Sequence, residues 1–331
     1  MSIRKVWPYA IALVPWFLYV AVAFLAARTG SVKLYGLDPR QLFYVRLASI
    51  AFNLVHWLIG TFCVVTLADA TRVVTEKRTS FRRIALGVLA MVVGSMVGSN
   101  AAALRSVFVG QAEIIKTLTF IYNYSYALST LVAAALFFSG SGLLAGGDAK
   151  VKIWKGWNVI GYVGLVLLMA AHVWLVFTNP DRHVTSPADG IVAYYLPDIV
   201  VAVTIVLPYL LAYTLVLFSA FRSAKYFLNS GGIVYKDASR QFVTGQILAM
   251  LGIFILQFLL SLGPTRSASL GLFGSLGVVL SYEAFQSAGF LALAFGIRKI
   301  SAIERAMHAY AQHTPEENRI AEWNAAPKKY L

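Results

Sequence analysis

Cysteine and acidic side chains are scarce in this 331-residue chain. It has one cysteine, Cys63, and 14 Asp+Glu against 28 Lys+Arg. A lone cysteine excludes a disulfide framework and a thiolate metal cluster. Neither an HExxH segment nor a P-loop occurs, so the common zinc-hydrolase and phosphate-cradling motifs are missing too. Charge of either sign is sparse. Charged residues make up 13% of the chain, about half the roughly 25% of a soluble domain. The longest polar stretches are the 178–198 segment and the C-terminal tail, and neither is long enough for a separate soluble domain.

What fills the chain is apolar. Hydrophobic residues account for 59% and the mean hydropathy is +0.71, against about 45–50% apolar in an average soluble protein. No soluble packing hides that much apolar surface, which excludes a disordered chain and a nucleic-acid-binding domain. Crossing a bilayer takes about 20 mostly apolar residues as a helix, because lipid offers the backbone no hydrogen-bond partner. Eight segments qualify: 6–27, 46–67, 84–104, 118–144, 159–177, 199–221, 242–262 and 270–295. Arg4 and Lys5 before the first run resemble a signal sequence. Signal cores are only about 7–15 residues long, whereas this run is longer and carries Trp7, Pro8, Pro15 and Trp16. A retained helix is expected.

The net charge of +14 then becomes a statement about topology. With the N-terminus inside, 20 of the 28 Lys+Arg fall in inner segments and 8 in outer ones. This bias places both termini in the cytoplasm. Cations spread over every second loop do not make a DNA-binding face; anionic lipids of the inner leaflet are their expected partners. The predicted fold is therefore an all-α, polytopic membrane helix bundle of about eight spans at residues 1–297, in the plasma membrane, with a cytoplasmic tail at 298–331. In the tail, Ile300, Ile303, Met307 and Tyr310 form an apolar stripe beside Arg298, Lys299 and Arg305, the pattern of a helix lying on the inner leaflet.

Shifting the chain by 84 residues aligns 130–182 with 214–266 at 14 identities in 53 positions. This predicts that spans four-five and six-seven are parallel copies of one hairpin, an arrangement found in some transporters. Gly87, Gly94, Gly98 and Ala102 form a small-residue strip on the third span. Such a strip lets backbones approach closely; a helix of the same chain is its first expected partner, a second copy the alternative. Gly140-Ser141-Gly142-Leu143-Leu144-Ala145 matches a loosened dinucleotide pattern, but it lacks the strand that motif requires and reads as helix packing. Pro15 and Pro208 lie inside spans, where proline kinks a helix; they are hinge candidates, although kinks that serve only packing are commoner.

The polar residues within the spans carry the functional expectation. Glu283 is the only acid well inside any span, with Gln286 and Ser287 about one turn along. An ionised group at that depth costs about 2.5–3.5 kcal/mol on insertion scales. It must be paired, protonated or facing water. On the second span Ser49, Asn53, His56, Gly60 and Cys63 recur at steps of four, three, four and three, so one face looks into protein or water. By helical rise His56 lies about 15 Å and Glu283 about 20 Å below the outer edge, close enough to interact. Asn100, Gln257 and His172 sit nearer the outer ends of their spans, so the polar groups lean outward. The depths of His56 and His172 do not match as bis-histidine haem ligation requires, and no cofactor or metal is expected.

These residues point first to a small-solute or ion transporter with an outward-accessible polar pocket. In it Glu283, His56, Asn53, His172, Asn100 and Gln257 are the binding or coupling candidates. A ligand-sensing receptor working through a separate cytosolic partner is the alternative, and a non-catalytic membrane assembly subunit is a further one. A membrane enzyme is the third reading; it would need a nucleophile or paired acids at the interface, and Asp69 and Glu76 beside Arg72 look more like a solvated helix extension.

Overall fold

The computed structural model describes residues 3–28, 39–74, 77–105, 107–108, 111–144, 183–186, 191–194, 207–231, 233–261 and 271–313, with five further positions between 163 and 170. Seven helices are present among them: α1 Ile3–Arg28, α2 Pro39–Val73, α3 Arg78–Arg105, α4 Ala112–Leu144, α5 Leu207–Gly231, α6 Ile233–Ser261 and α7 Gly271–His313. They coincide with seven of the eight apolar runs. The fifth run, 159–177, lies outside the described residues except for those five isolated positions, and with it the second half of the first expected repeat copy.

Three of the helical stretches are long and apolar enough to cross a membrane. They are Val6–Leu25, Leu47–Val73 and Arg78–Leu104, with mean hydropathies of 1.9, 1.9 and 1.8. A shorter apolar stretch covers Leu128–Leu144. Helix formation follows from composition: an apolar segment that must satisfy its own N–H and C=O groups in lipid has the helix as its solution. Pro39 opens α2 at a position where its missing N–H leaves no bond unmade. α1 runs through both Pro8 and Pro15. The described part of α5 begins one residue before Pro208, which places that proline in the first described turn.

The helical body carries one small addition. Within the 178–198 segment, β1 His183–Ser186 pairs antiparallel with β2 Ile191–Tyr194, in the register His183↔Tyr194 and Ser186↔Ile191. Val184, Thr185, Ile191 and Val192 are β-branched, and Pro187-Ala188-Asp189-Gly190 between the strands is rich in turn formers. A segment this short and polar cannot make another span, and pairing of the two strands satisfies the backbone groups on their facing edges. β2 runs beside α4.

The helices pack as a ring in chain order. α2 packs on α3, α3 on α4, α4 on α5, α5 on α6, α6 on α7, and α7 returns to α2. α1 stands outside this ring against α2 and α3. The ring is filled. Leu67, Val88, Phe137, Val216, Phe242, Phe290 and Leu293 belong to a single buried apolar cluster.

The tail differs from its sequence expectation. α7 is one helix of 43 residues, about 65 Å long against a hydrocarbon thickness of about 30 Å. It runs without a break past position 297. Ile300 and Ile303 are buried in the common core and Met307 packs against it, so these three members of the stripe face protein instead of lying on lipid. The reason is that α7 packs along α2 and the shared buried cluster offers the stripe an apolar partner. Lys77, in the α2–α3 connection, then meets Glu304 at 3.8 Å.

Candidate functional site

The exterior is unusually apolar. Phe221 is 77% exposed and Val14 67%, with Phe17, Leu128, Leu143 and Phe295 also facing outward. His56 and Gln246 are fully buried, and Glu283 is 2% exposed. An apolar exterior of this kind, with a few polar groups set into an apolar core, suits a hydrocarbon solvent and would aggregate in water.

On α2 the predicted stripe divides between two neighbours. Asn53 faces α3, where Ser99 Oγ donates to its Oδ1 at 3.1 Å while its own Nδ2 donates to the Ser49 carbonyl at 2.9 Å. His56, three residues on and so rotated by about 60°, faces α7. There its Nδ1 is 2.9 Å from Ser287 Oγ, and its ring stacks on Phe290 with centroids 5.6 Å apart. Gly60 lies between Val92 of α3 and Phe290 of α7, and Cys63 continues into the apolar core. The stripe therefore fills the α3–α7 crevice.

α7 answers with Glu283, Gln286, Ser287 and Phe290, which share one helix face at steps of three, one and three. Glu283 and Gln286 are both essentially buried. Among the described residues, Glu283 Oε2 and both terminal atoms of Gln286 have no hydrogen-bond partner. Gln286 sits beside the His56 ring without forming a well-shaped hydrogen bond to it. His56 and Glu283 thus lie at the same α2–α7 seam, and the group bonded to His56 is Ser287, one turn along α7 from Glu283.

The other predicted residues are distributed elsewhere. Asn100 joins α3 to α1 by donating from Nδ2 to the Pro15 carbonyl at 3.3 Å and to the Met96 carbonyl at 2.9 Å. Its Oδ1 is buried without a partner among the described residues. Gln257 is part of α6, but its side chain lies outside the described set, as does all of His172. Gly87 faces the Phe137 ring and Gly94 faces Ser129 and the Ser125 carbonyl, so these members of the strip receive α4. Gly98 is buried and Ala102 half-buried. Asn53, His56, Asn100 and Glu283 are each at most 8% exposed. These four are closed off from the outside, in contrast to the outward-accessible pocket expected of them.

Two features had no counterpart in the sequence reading. At the α6–α7 seam, a Cβ on Gly245 would lie 2.5 Å from Leu293 N, and one on Gly296 would lie 2.8 Å from Phe242 N. Backbones touch there, with Gly289 against Ala249 between them. The spacing of seven between Gly289 and Gly296 was the available signal. Between α4, α5 and α6, Ser141 Oγ lies 2.8 Å from Ser219 Oγ, and Ser223 Oγ donates to Ser141 Oγ at 2.7 Å. Ser219 Oγ also donates to Gln246 Oε1 at 3.4 Å. All four side chains are fully buried. Their matched positions near one end of three of the apolar runs were the signal for this cluster.

Among the described residues, no group of three or more His, Cys, Asp or Glu side chains could hold a metal ion. No family model matches the chain, and no curated protein or solved structure is significantly similar to it.

Proposed function

We propose that this chain is a multi-pass plasma-membrane transporter for a small solute or ion. It has about eight spans, both termini in the cytoplasm and basic inner segments lying against anionic lipid headgroups. The observation that carries the reading is Glu283, a carboxylate buried at the α2–α7 seam with one oxygen lacking a hydrogen-bond partner among the described residues. An ionisable group at this depth is costly, and a role in binding or coupling explains its presence better than packing does. His56 and Ser287 supply a second polar element on the facing helices. The closure of these residues corresponds to an occluded conformation, and access from outside requires α7 to move relative to α2.

The test is flux. Purified protein in liposomes, given an inward pH gradient with an entrapped pH dye or an inward gradient of labelled sodium, should discharge at least one gradient faster than protein-free liposomes. Glu283→Gln, if it inserts and folds, should return that rate to the protein-free level. Transport by the variant at the wild-type rate would remove Glu283 from the mechanism. Absence of flux for both ions and for a panel of labelled small solutes would favour the receptor alternative.

A further inference from the structure

We propose that the α2–α7 seam binds one partly dehydrated monovalent cation, with Glu283 Oε2 and Gln286 Oε1 among its ligands. The inference rests on reading this seam as the transport site, and it names the class of occupant. Three buried polar atoms on two side chains one turn apart lack hydrogen-bond partners among the described residues: Glu283 Oε2, Gln286 Oε1 and Gln286 Nε2. Buried polar groups are otherwise satisfied as a rule, so their clustering on one helix face marks something that belongs between them.

Charge and valence select the occupant. Protonation would neutralise Glu283 but do nothing for Gln286. A cation engages both side-chain oxygens at once. A divalent ion would leave an uncompensated positive charge in the hydrocarbon interior, whereas a monovalent ion with one carboxylate is neutral overall. Side-chain and carbonyl oxygens can replace the hydration shell of such an ion. The amide end of Gln286 then remains as a donor for a water molecule accompanying it. Ser287 Oγ is already engaged with His56 Nδ1, which holds α7 in register and leaves the Glu283–Gln286 turn as the ligand surface.

The experiment is equilibrium binding to the full-length protein in detergent, read by thermal unfolding and sodium NMR. Saturating Na+ or K+ should raise the melting temperature by about 3–5 °C over N-methyl-D-glucamine at equal ionic strength. The sodium resonance should broaden in the presence of wild-type protein. Glu283→Gln and Gln286→Leu should each abolish the shift, and the charge-conserving Glu283→Asp should weaken binding at least tenfold. Equal melting in all three salts without line broadening overturns the proposal, and the wild-type protein alone decides that point. A shift retained in both Glu283→Gln and Gln286→Leu overturns it as well. Proton flux through Glu283 with no alkali-cation response would overturn the cation and leave transport standing; cation binding without flux would do the reverse.

Discussion

His56 Nδ1 and Ser287 Oγ, 231 residues apart in sequence, lie 2.9 Å from each other and join the second described helix to the last. Ser287→Ala should therefore destabilise the protein. Interhelical hydrogen bonds inside membranes contribute about 0.6 kcal/mol on average and up to about 1.7 kcal/mol, so a loss of about 1 kcal/mol is expected by reversible unfolding in mixed micelles. Unchanged stability would mean that stacking on Phe290 holds the imidazole by itself.

The α6–α7 seam predicts a larger effect. Gly245→Val places atoms where Leu293 N stands at 2.5 Å and the Gly289 carbonyl at 2.7 Å. Two backbones would have to separate, at about 3 kcal/mol. Gly142→Ala is the contrast, since its Cβ would meet only an Arg222 side-chain nitrogen at an ordinary 3.5 Å. It should stay within about 0.5 kcal/mol of the parent. Comparable melting of the two variants would contradict the close packing described for this seam.

In the buried serine cluster the two ends should respond differently. Ser141 bonds both Ser219 and Ser223, so Ser141→Ala should cost about 1 kcal/mol. Gln246 accepts only a long bond from Ser219, and its Nε2 has no acceptor among the described residues. Gln246→Leu removes that unsatisfied donor and should be close to neutral in the same assay. A marked loss would show that Nε2 has an acceptor in the folded protein.

Burial separates the two described ion pairs. Lys77 and Glu304 are 20% and 16% exposed at 3.8 Å, whereas Arg72 and Asp69 are 78% and 50% exposed at 3.6 Å. A double-mutant cycle on Lys77 and Glu304 should give a coupling of about 1 kcal/mol that weakens in high salt. The cycle on Arg72 and Asp69 should give about zero. Equal couplings would mean that burial is not what distinguishes them.

Topology is open to a chemical test. In a Cys63→Ala background, Gln111→Cys should react with a membrane-impermeant maleimide from outside intact cells. Thr79→Cys, near the inner basic cluster, should react only after permeabilisation. Both are at exposed positions. Labelling of both from one side would overturn the proposed orientation.

Much of the helical framework was legible because each apolar run must form a helix on its own, without reference to its neighbours. Asn53, His56, Glu283 and Asn100 were identifiable for the same reason: a polar residue amid apolar ones stands out wherever the helix packs. Their pairing was not legible. Depth allowed His56 to contact Glu283, directly or through water; the bond the structure shows is to Ser287, because a 100° step per residue decides which side chain on α7 faces it. Depth along a span is readable from residue count; azimuth is readable only when a helix has distinct faces. The α7 extension shows the same limit, since Ile300, Ile303 and Met307 look equally suited to lipid or to protein.

By itself, the sequence determined a helical chain whose apolar runs suit a hydrocarbon environment, with one acid set deep among apolar residues. Composition suffices there, because the solvent acts on every segment separately. Only the tertiary structure decided which helices close into the ring and which glycines bring backbones together. It also decided which turn of α7 gathers buried polar atoms without partners. Those outcomes depend on the relative rotation and register of helices far apart in the chain, which are set by close packing and by no property of any one segment.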